Sequence, residues 1–317
     1  MSYLESYITP WSQIMANIGI IGSGNVGANS AFFIAERNIA NVSLYDAKDG
    51  LAFGKALDMM EAAPVRGYQR HIAGVKAMDE LLGHEAVVLA AGTVRSPGMK
   101  REELYEANAP IVDELAQGLQ NYGGVVINAI EPVDALTTRF VESSGLPWNK
   151  VVGLGSILDA ARLRYLVSEK TGVTAENISA MVVGRHSDAM IPLAEYTKIS
   201  GVPLTQLLKK TEIEGVFDDL RKAGDLIVEM ARRASAYYGP SAVVADIAKA
   251  IAWDTRAVVP VSFVWQGQYG VDGVAMGLPV ILGRRGIERV LAPNLSNEQK
   301  RALVSSAEEL ETLVKGA

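Results

Sequence analysis

"NIGIIGSGNVGANSAFFIAE", residues 17–36, runs from a short apolar segment into a helical pattern through a turn that holds Gly22, Gly24 and Gly27. Glycines at this GxGxxG spacing, after a strand and before a helix, mark a dinucleotide-binding turn. Gly22 permits the tight turn, Gly24 lets backbone approach a pyrophosphate, and Gly27 lets the helix pack closely on the strand. The N-terminus of the helix that follows offers free N–H groups and its positive dipole end to the phosphates.

Asp46 closes the next apolar run, "VSLYD" at 42–46. A carboxylate there accepts hydrogen bonds from a ribose diol and repels a 2′-phosphate, so the predicted cofactor is NAD rather than NADP.

Outward from this turn, "AVVLAAG" (86–92), "GVVINAI" (124–130) and "KVVGL" (150–154) are further apolar runs separated by helical patterns. Strands that are apolar throughout suit a parallel sheet covered on both faces. The expectation is an α/β protein: a Rossmann-type doubly wound parallel sheet over residues 16–153, then a mixed α+β substrate domain over 154–317. In the second part "ISAMVVG", "TKIS", "AVVPVSFVW" and "GLPVILG" read as strands, with helices at about 213–236, 241–253 and 297–315.

The 317 residues are 49% hydrophobic and 21% charged, an ordinary globular balance. A net charge of -6 gives no polybasic face, so no nucleic-acid partner is expected. The absence of cysteine excludes disulfides, thiol nucleophiles and cysteine metal sites. No metal site is expected, and no apolar run approaches the roughly 20 residues that span a bilayer. The expectation is a cytoplasmic protein without membrane contact. Residues 1–15 read either as an arm packing on a neighbouring subunit or as sequence ahead of a start at Met15.

Chemistry-bearing residues follow. "GSILDAARLRYLV" places Asp159 and Arg162 at i and i+3, on one helix face. "VVGRHSDAMIP" carries His186, one of three histidines. Oxidising an alcohol requires a group that takes the hydroxyl proton, and histidine titrates near neutrality. A buried carboxylate such as Asp159 would orient the ring, and Arg162 would hold a substrate carboxylate bidentately. "RSPGMKR" (95–101) adds two arginines across a Pro97-Gly98 turn after a buried strand.

These motifs, with "VSLYDAKDGLAFGKALDMMEAAPV", "AAGTVRSPGMKREELYEANAPIV" and "SAYYGPSAVVADIAKAI", resemble the lactate/malate dehydrogenase family from about residue 17 onward. The likeness is nearest to the lactate-dehydrogenase-like malate dehydrogenases. It implies an NAD-dependent oxidoreductase acting on a small L-2-hydroxy acid or 2-oxo acid, with malate and oxaloacetate as the default pair. By it, His186 is the proton acceptor and donor, Asp159 its partner, and Arg162 the clamp on the substrate C1 carboxylate. Arg101 polarises the carbonyl as a lid closes, and Arg95 pairs a second carboxylate. Asn108 contacts the cofactor, as do Asn25, Val26 and Ala129, and Ala236 leaves room for a longer substrate. A homodimer or homotetramer is implied.

One position departs from the family. "NAIEPVDAL" (128–136) has Glu131 where the family carries asparagine before Pro132. A carboxylate about 4 Å from an anionic substrate costs on the order of 4 kcal/mol at an effective dielectric near 20, or roughly a thousandfold in affinity. Glu131 is thus expected to be protonated, to be paired with an arginine, or to face a neutral or cationic group of another 2-oxo acid. Alternatively it turns away and Asn128 replaces it, or the chain is a catalytically silent NAD-binding protein. Ser187, where many relatives have glycine, is a smaller departure. Arg95 weighs against lactate as substrate. An NAD-dependent glycosidase would want a divalent metal site.

Overall fold

The computed structural model describes residues 16–96, 98–231 and 235–316. The expected arm at 1–15 and Pro97 of the lid loop lie outside the described residues.

Six strands form a parallel sheet: β1 (Asn17–Ile21), β2 (Asn41–Tyr45), β3 (Ile72–Gly74), β4 (Ala86–Leu89), β5 (Val125–Asn128) and β6 (Val151–Gly153). Helices α1 (Asn25–Glu36), α2 (Leu51–Arg66), α3 (Arg101–Gly118) and α4 (Val133–Ser144) separate most of them. The order β3-β2-β1-β4-β5-β6 reverses between β1 and β4, which opens a crevice at the carboxyl ends of those strands. Every residue of β4, β5 and β6 is buried, as expected for apolar runs covered on both faces.

Gly22 and Gly27 hold the first turn. Gly22 has φ +99°, and a Cβ on it would lie 2.5 Å from the Ala91 backbone nitrogen. A Cβ on Gly27 would lie 1.8 Å from the Gly22 carbonyl oxygen.

The second half begins with α5 (Ser156–Thr171), followed by the short strands β7 (Ile178–Ser179), β8 (Val182–Val183), β9 (Ile191–Pro192), β10 (Lys198–Ile199) and β11 (Val202–Pro203). Then come α6 (Leu204–Leu207), α7 (Lys210–Ala231), α8 (Tyr238–Ala252), β12 (Ala257–Gln266), β13 (Asp272–Gly283), β14 (Gly286–Val290) and α9 (Asn297–Lys315). "ISAMVVG" is thus two strands rather than one: β7 joins β10 and β11, while β8 pairs with β9.

The two parts share one sheet. β12, β13 and β14 run antiparallel, and β12 joins the parallel edge where Ser262 pairs with Gly153. α8 packs against α1, β1, β4 and α5. With neighbours on several sides, it buries Val243, Val244, Ala245, Ile247, Ala248 and Ile251 and is apolar nearly all round. A second core, centred on Leu163, Val167, Ile213, Val216 and Leu220, seats α7 against α5. None of the described helices is long and apolar enough to cross a membrane.

Candidate active site

The crevice ends in a single cavity that reaches from the glycine turn to α7. Gly24, Asn25, Val26 and Ala129 line one part, and Arg95, Arg101, Glu131, Arg162, His186, Ser187 and Ala236 another.

The nucleotide end is built by β1, α1 and β2. Asp46 follows β2 and bridges two backbone N–H groups: Ser23 donates to Oδ2 at 2.6 Å and Lys48 to Oδ1 at 2.9 Å. α1 has no side-chain cap and no acidic residue in its first turn, so nothing neutralises its exposed N–H groups. A Cβ at Gly24 would meet nothing within 4 Å, and the buried Ser23 Oγ has no hydrogen-bond partner. An open backbone, free donors and a carboxylate at the ribose position fit a dinucleotide.

The chemical end is built by α5 and by the loop after β8. Asp159, in the first turn of α5, is fully buried, and its Oδ2 stands 2.8 Å from His186 Nδ1. Arg162 Nη1 lies 3.6 Å from the other Asp159 oxygen, one helical turn away, and its side chain faces the cavity. The backbone of His186 is held as well. Its N–H donates to Asp134 Oδ2 at 2.6 Å and its carbonyl accepts from Arg101 Nη1 at 3.0 Å.

Burial works against a charged His186 ring, but the fields and hydrogen bonds of Asp159 and Glu131 outweigh it and push the pKa up to about 10. Glu131 shows the reciprocal effect. Burial would raise its pKa, yet the charge and hydrogen bond of His186, with Arg101 behind, hold it down at about 2. It lies against the histidine, with Oε1 3.4 Å from His186 Nε2. Of the alternatives open from the sequence, the geometry places Glu131 against His186, with the charge of Arg101 nearby.

Asn128 does not replace it. Asn128 is fully buried and spends its side chain on Val133, Thr137 and Ile130, beneath the site. Asn108 is fully buried and laces the loops together, donating to the carbonyls of Thr93 (3.0 Å) and Glu131 (2.8 Å) and accepting from Thr93 N–H (2.7 Å).

Arg95 is not free. Its Nη1 donates to Asp225 Oδ1 of α7 at 2.6 Å, and its Nε donates to the Met99 carbonyl at 3.2 Å. Asp225 and Asp134 escaped the sequence reading. Asp225 is 130 residues from its partner. Asp134 could have been flagged as an acid in the first turn of a helix, three residues after Glu131. Among the described residues no cluster of three or more histidines and acids is placed to hold a metal ion.

The fold is shared with known proteins. The model for "lactate/malate dehydrogenase, NAD binding domain" matches residues 16–153, and that for the family's alpha/beta C-terminal domain matches 156–317. A malate dehydrogenase of Chlorobium chlorochromatii is 39% identical over 297 residues, covering 93% of this chain and 96% of the relative. The malate dehydrogenase structure from Cryptosporidium parvum superposes with a TM-score of 0.92 at 34% identity, over 96% of this chain and 99% of that one. A lactate dehydrogenase from the same organism, solved with lactic acid and NAD, gives 0.90 at 33% identity, over 95% and 98% of the two chains. The chain belongs to the lactate/malate dehydrogenase family.

Proposed function

We propose that this chain is an NAD-dependent malate dehydrogenase that interconverts malate and oxaloacetate. The observation that carries the reading is the buried Asp159–His186 pair facing, with Arg162, the cavity that also contains the glycine turn.

The turn at Gly22, Gly24, Asn25, Val26 and Gly27 would hold the pyrophosphate, Asp46 the adenosine ribose, and Ala129 the nicotinamide side. When bound, NAD supplies the hydride acceptor. Arg162 binds the C1 carboxylate through its planar fork. His186 Nε2 exchanges the proton with the substrate oxygen, while Asp159 keeps Nδ1–H in place and stabilises the charged ring. Arg101, the first residue of α3, polarises the substrate oxygen, and the loop that it ends closes to exclude water. Residues 16–153 act as the dinucleotide-binding domain and 154–317 as the substrate domain of a cytoplasmic homodimer or homotetramer.

A second reading has two observations behind it. Arg95 is already paired with Asp225, and Glu131 faces the same cavity, so the site also suits a 2-oxo acid without a second carboxylate. NADH oxidation by purified protein with oxaloacetate, pyruvate, and longer neutral or amino-bearing 2-oxo acids decides between them. Oxaloacetate is expected to turn over fastest. Preference for a monocarboxylate or amino-bearing acid would replace the malate reading, and NADH binding without any turnover would leave a silent binding protein.

A further inference from the structure

The His186 ring has two nitrogens, and an acid stands at each. Asp159 Oδ2 is 2.8 Å from Nδ1 and Glu131 Oε1 is 3.4 Å from Nε2. A neutral imidazole has one N–H and can donate to only one of them. Only the imidazolium donates to both.

Glu131 has a 43% exposed side chain that is tethered to its neighbours. Its Oε2 accepts from Val133 N–H at 3.1 Å, and its carbonyl accepts from Asn108 Nδ2 at 2.8 Å. The other charged groups around His186 are Arg162 on α5, Asp134 on α4, Arg101 on α3 and the adjacent Arg185. Asp134 and Arg101 engage the backbone of His186, so the ring nitrogens themselves see two carboxylates.

We propose that Glu131 is a positioning carboxylate that keeps His186 protonated on Nε2 in the substrate-free site, so that the resting enzyme holds the proton that reduction of a 2-oxo acid consumes. The inference rests on the dehydrogenase reading above and goes beyond it in direction. In reduction, the substrate oxygen takes the proton from Nε2 while its carbonyl carbon gains a hydride, which bound NADH would supply. The ring is left neutral, with its remaining N–H on Asp159, and recovers a proton from solvent under the pull of Glu131. Oxidation must first remove the Nε2 proton against both carboxylates. Each pH unit below the ring's midpoint leaves about tenfold less of the neutral base.

The chain has three histidines, His71, His84 and His186, so the ring can be followed directly by NMR titration of the ligand-free, full-length protein. The unmodified protein should keep His186 charged through neutral pH. In Glu131→Gln and Glu131→Asn its midpoint should fall by about 1–3 pH units, the usual effect of removing a close opposite charge. Glu131→Asp, which retains the charge, should retain a raised midpoint, and His71 and His84 should not move.

The pH profiles of kcat/KM supply the second readout. The rising limb for hydroxy-acid oxidation should move to lower pH in Glu131→Gln by the same interval, about tenfold in rate per unit on that limb. Loss of a merely structural residue would lower both directions without moving the limb. An unchanged His186 midpoint in variants with the native circular dichroism spectrum would overturn the proposal. A shifted midpoint with no turnover of any 2-oxo acid would uphold Glu131's hold on the proton and sink the dehydrogenase reading instead.

Discussion

Asp134 fixes the backbone of His186 from beneath: its Oδ2 accepts the His186 N–H at 2.6 Å while its Oδ1 accepts from Ser262 Oγ at 2.6 Å. The acid is almost fully buried, and it joins α4, the histidine loop and β12 at the point where the parallel and antiparallel parts of the sheet meet. Burial raises its pKa to about 6, against the lowering effects of Ser262 and His186.

This predicts a pH signature in stability. An acid whose folded pKa lies above its unfolded value contributes stability below the unfolded pKa, near 3.8, and loses it as pH rises through about 6. The loss is on the order of 3 kcal/mol for a shift of this size. Asp134→Asn cannot ionise, so denaturant unfolding between these pH values should show the unmodified protein losing stability relative to the variant. Parallel curves for the two proteins would contradict the assignment. Asp134→Ala should cost about 1–3 kcal/mol for each donor left unpaired and should reduce turnover through misplacement of His186.

The features legible in the sequence are those in which neighbours along the chain do the work. The Gly22–Gly27 turn reads directly because its spacing is the geometry, and Asp159 with Arg162 reads because i and i+3 share a helix face. The partner of Glu131 did not read, because His186 lies more than fifty residues further along and comes within reach only through the sheet. For the same reason β12 appeared to belong to a separate unit. Its junction with β6 is one registered pair, Ser262 with Gly153, and no local pattern announces a pairing of residues so far apart.

The Arg95–Asp225 pair should tune affinity for a second carboxylate without abolishing it. Its side chains are 31% and 66% exposed, and exposed pairs are worth about 0–1 kcal/mol. A dicarboxylate can therefore take Arg95 from Asp225 at small cost. Asp225→Asn should lower KM for oxaloacetate by up to about fivefold, more at low salt, and leave monocarboxylate kinetics unchanged. Equal KM values in low salt would mean that Arg95 does not meet the substrate's distal group.

Arg162→Lys keeps the charge but loses the planar fork. A charge-assisted hydrogen bond is worth about 1.5–3 kcal/mol, so KM should rise roughly 10- to 150-fold for every 2-oxo acid alike, because all share C1. His186 should be disturbed little, since Asp159 Oδ2 remains on its Nδ1. A KM increase confined to dicarboxylates would move Arg162 from the C1 end of the substrate to the far end.

Asp46 tests the cofactor choice separately from the chemistry. Its two oxygens already accept the N–H groups of Ser23 and Lys48, so the carboxylate is held in one orientation. A 2′-phosphate placed there would face a fixed negative charge, while the neighbouring backbone donors are spent on the acid itself. Asp46→Ser removes the repulsion and retains a short oxygen side chain that can accept from one of those N–H groups. The ratio of NADPH to NADH affinity, measured by cofactor fluorescence, should rise by at least tenfold, the effect of about 1.4 kcal/mol. His186 and Arg162 are untouched by this change, so the maximal rate with saturating NADH should stay near that of the unmodified enzyme. An unaltered affinity ratio would show that Asp46 merely ties the turn together and that discrimination lies elsewhere in the crevice.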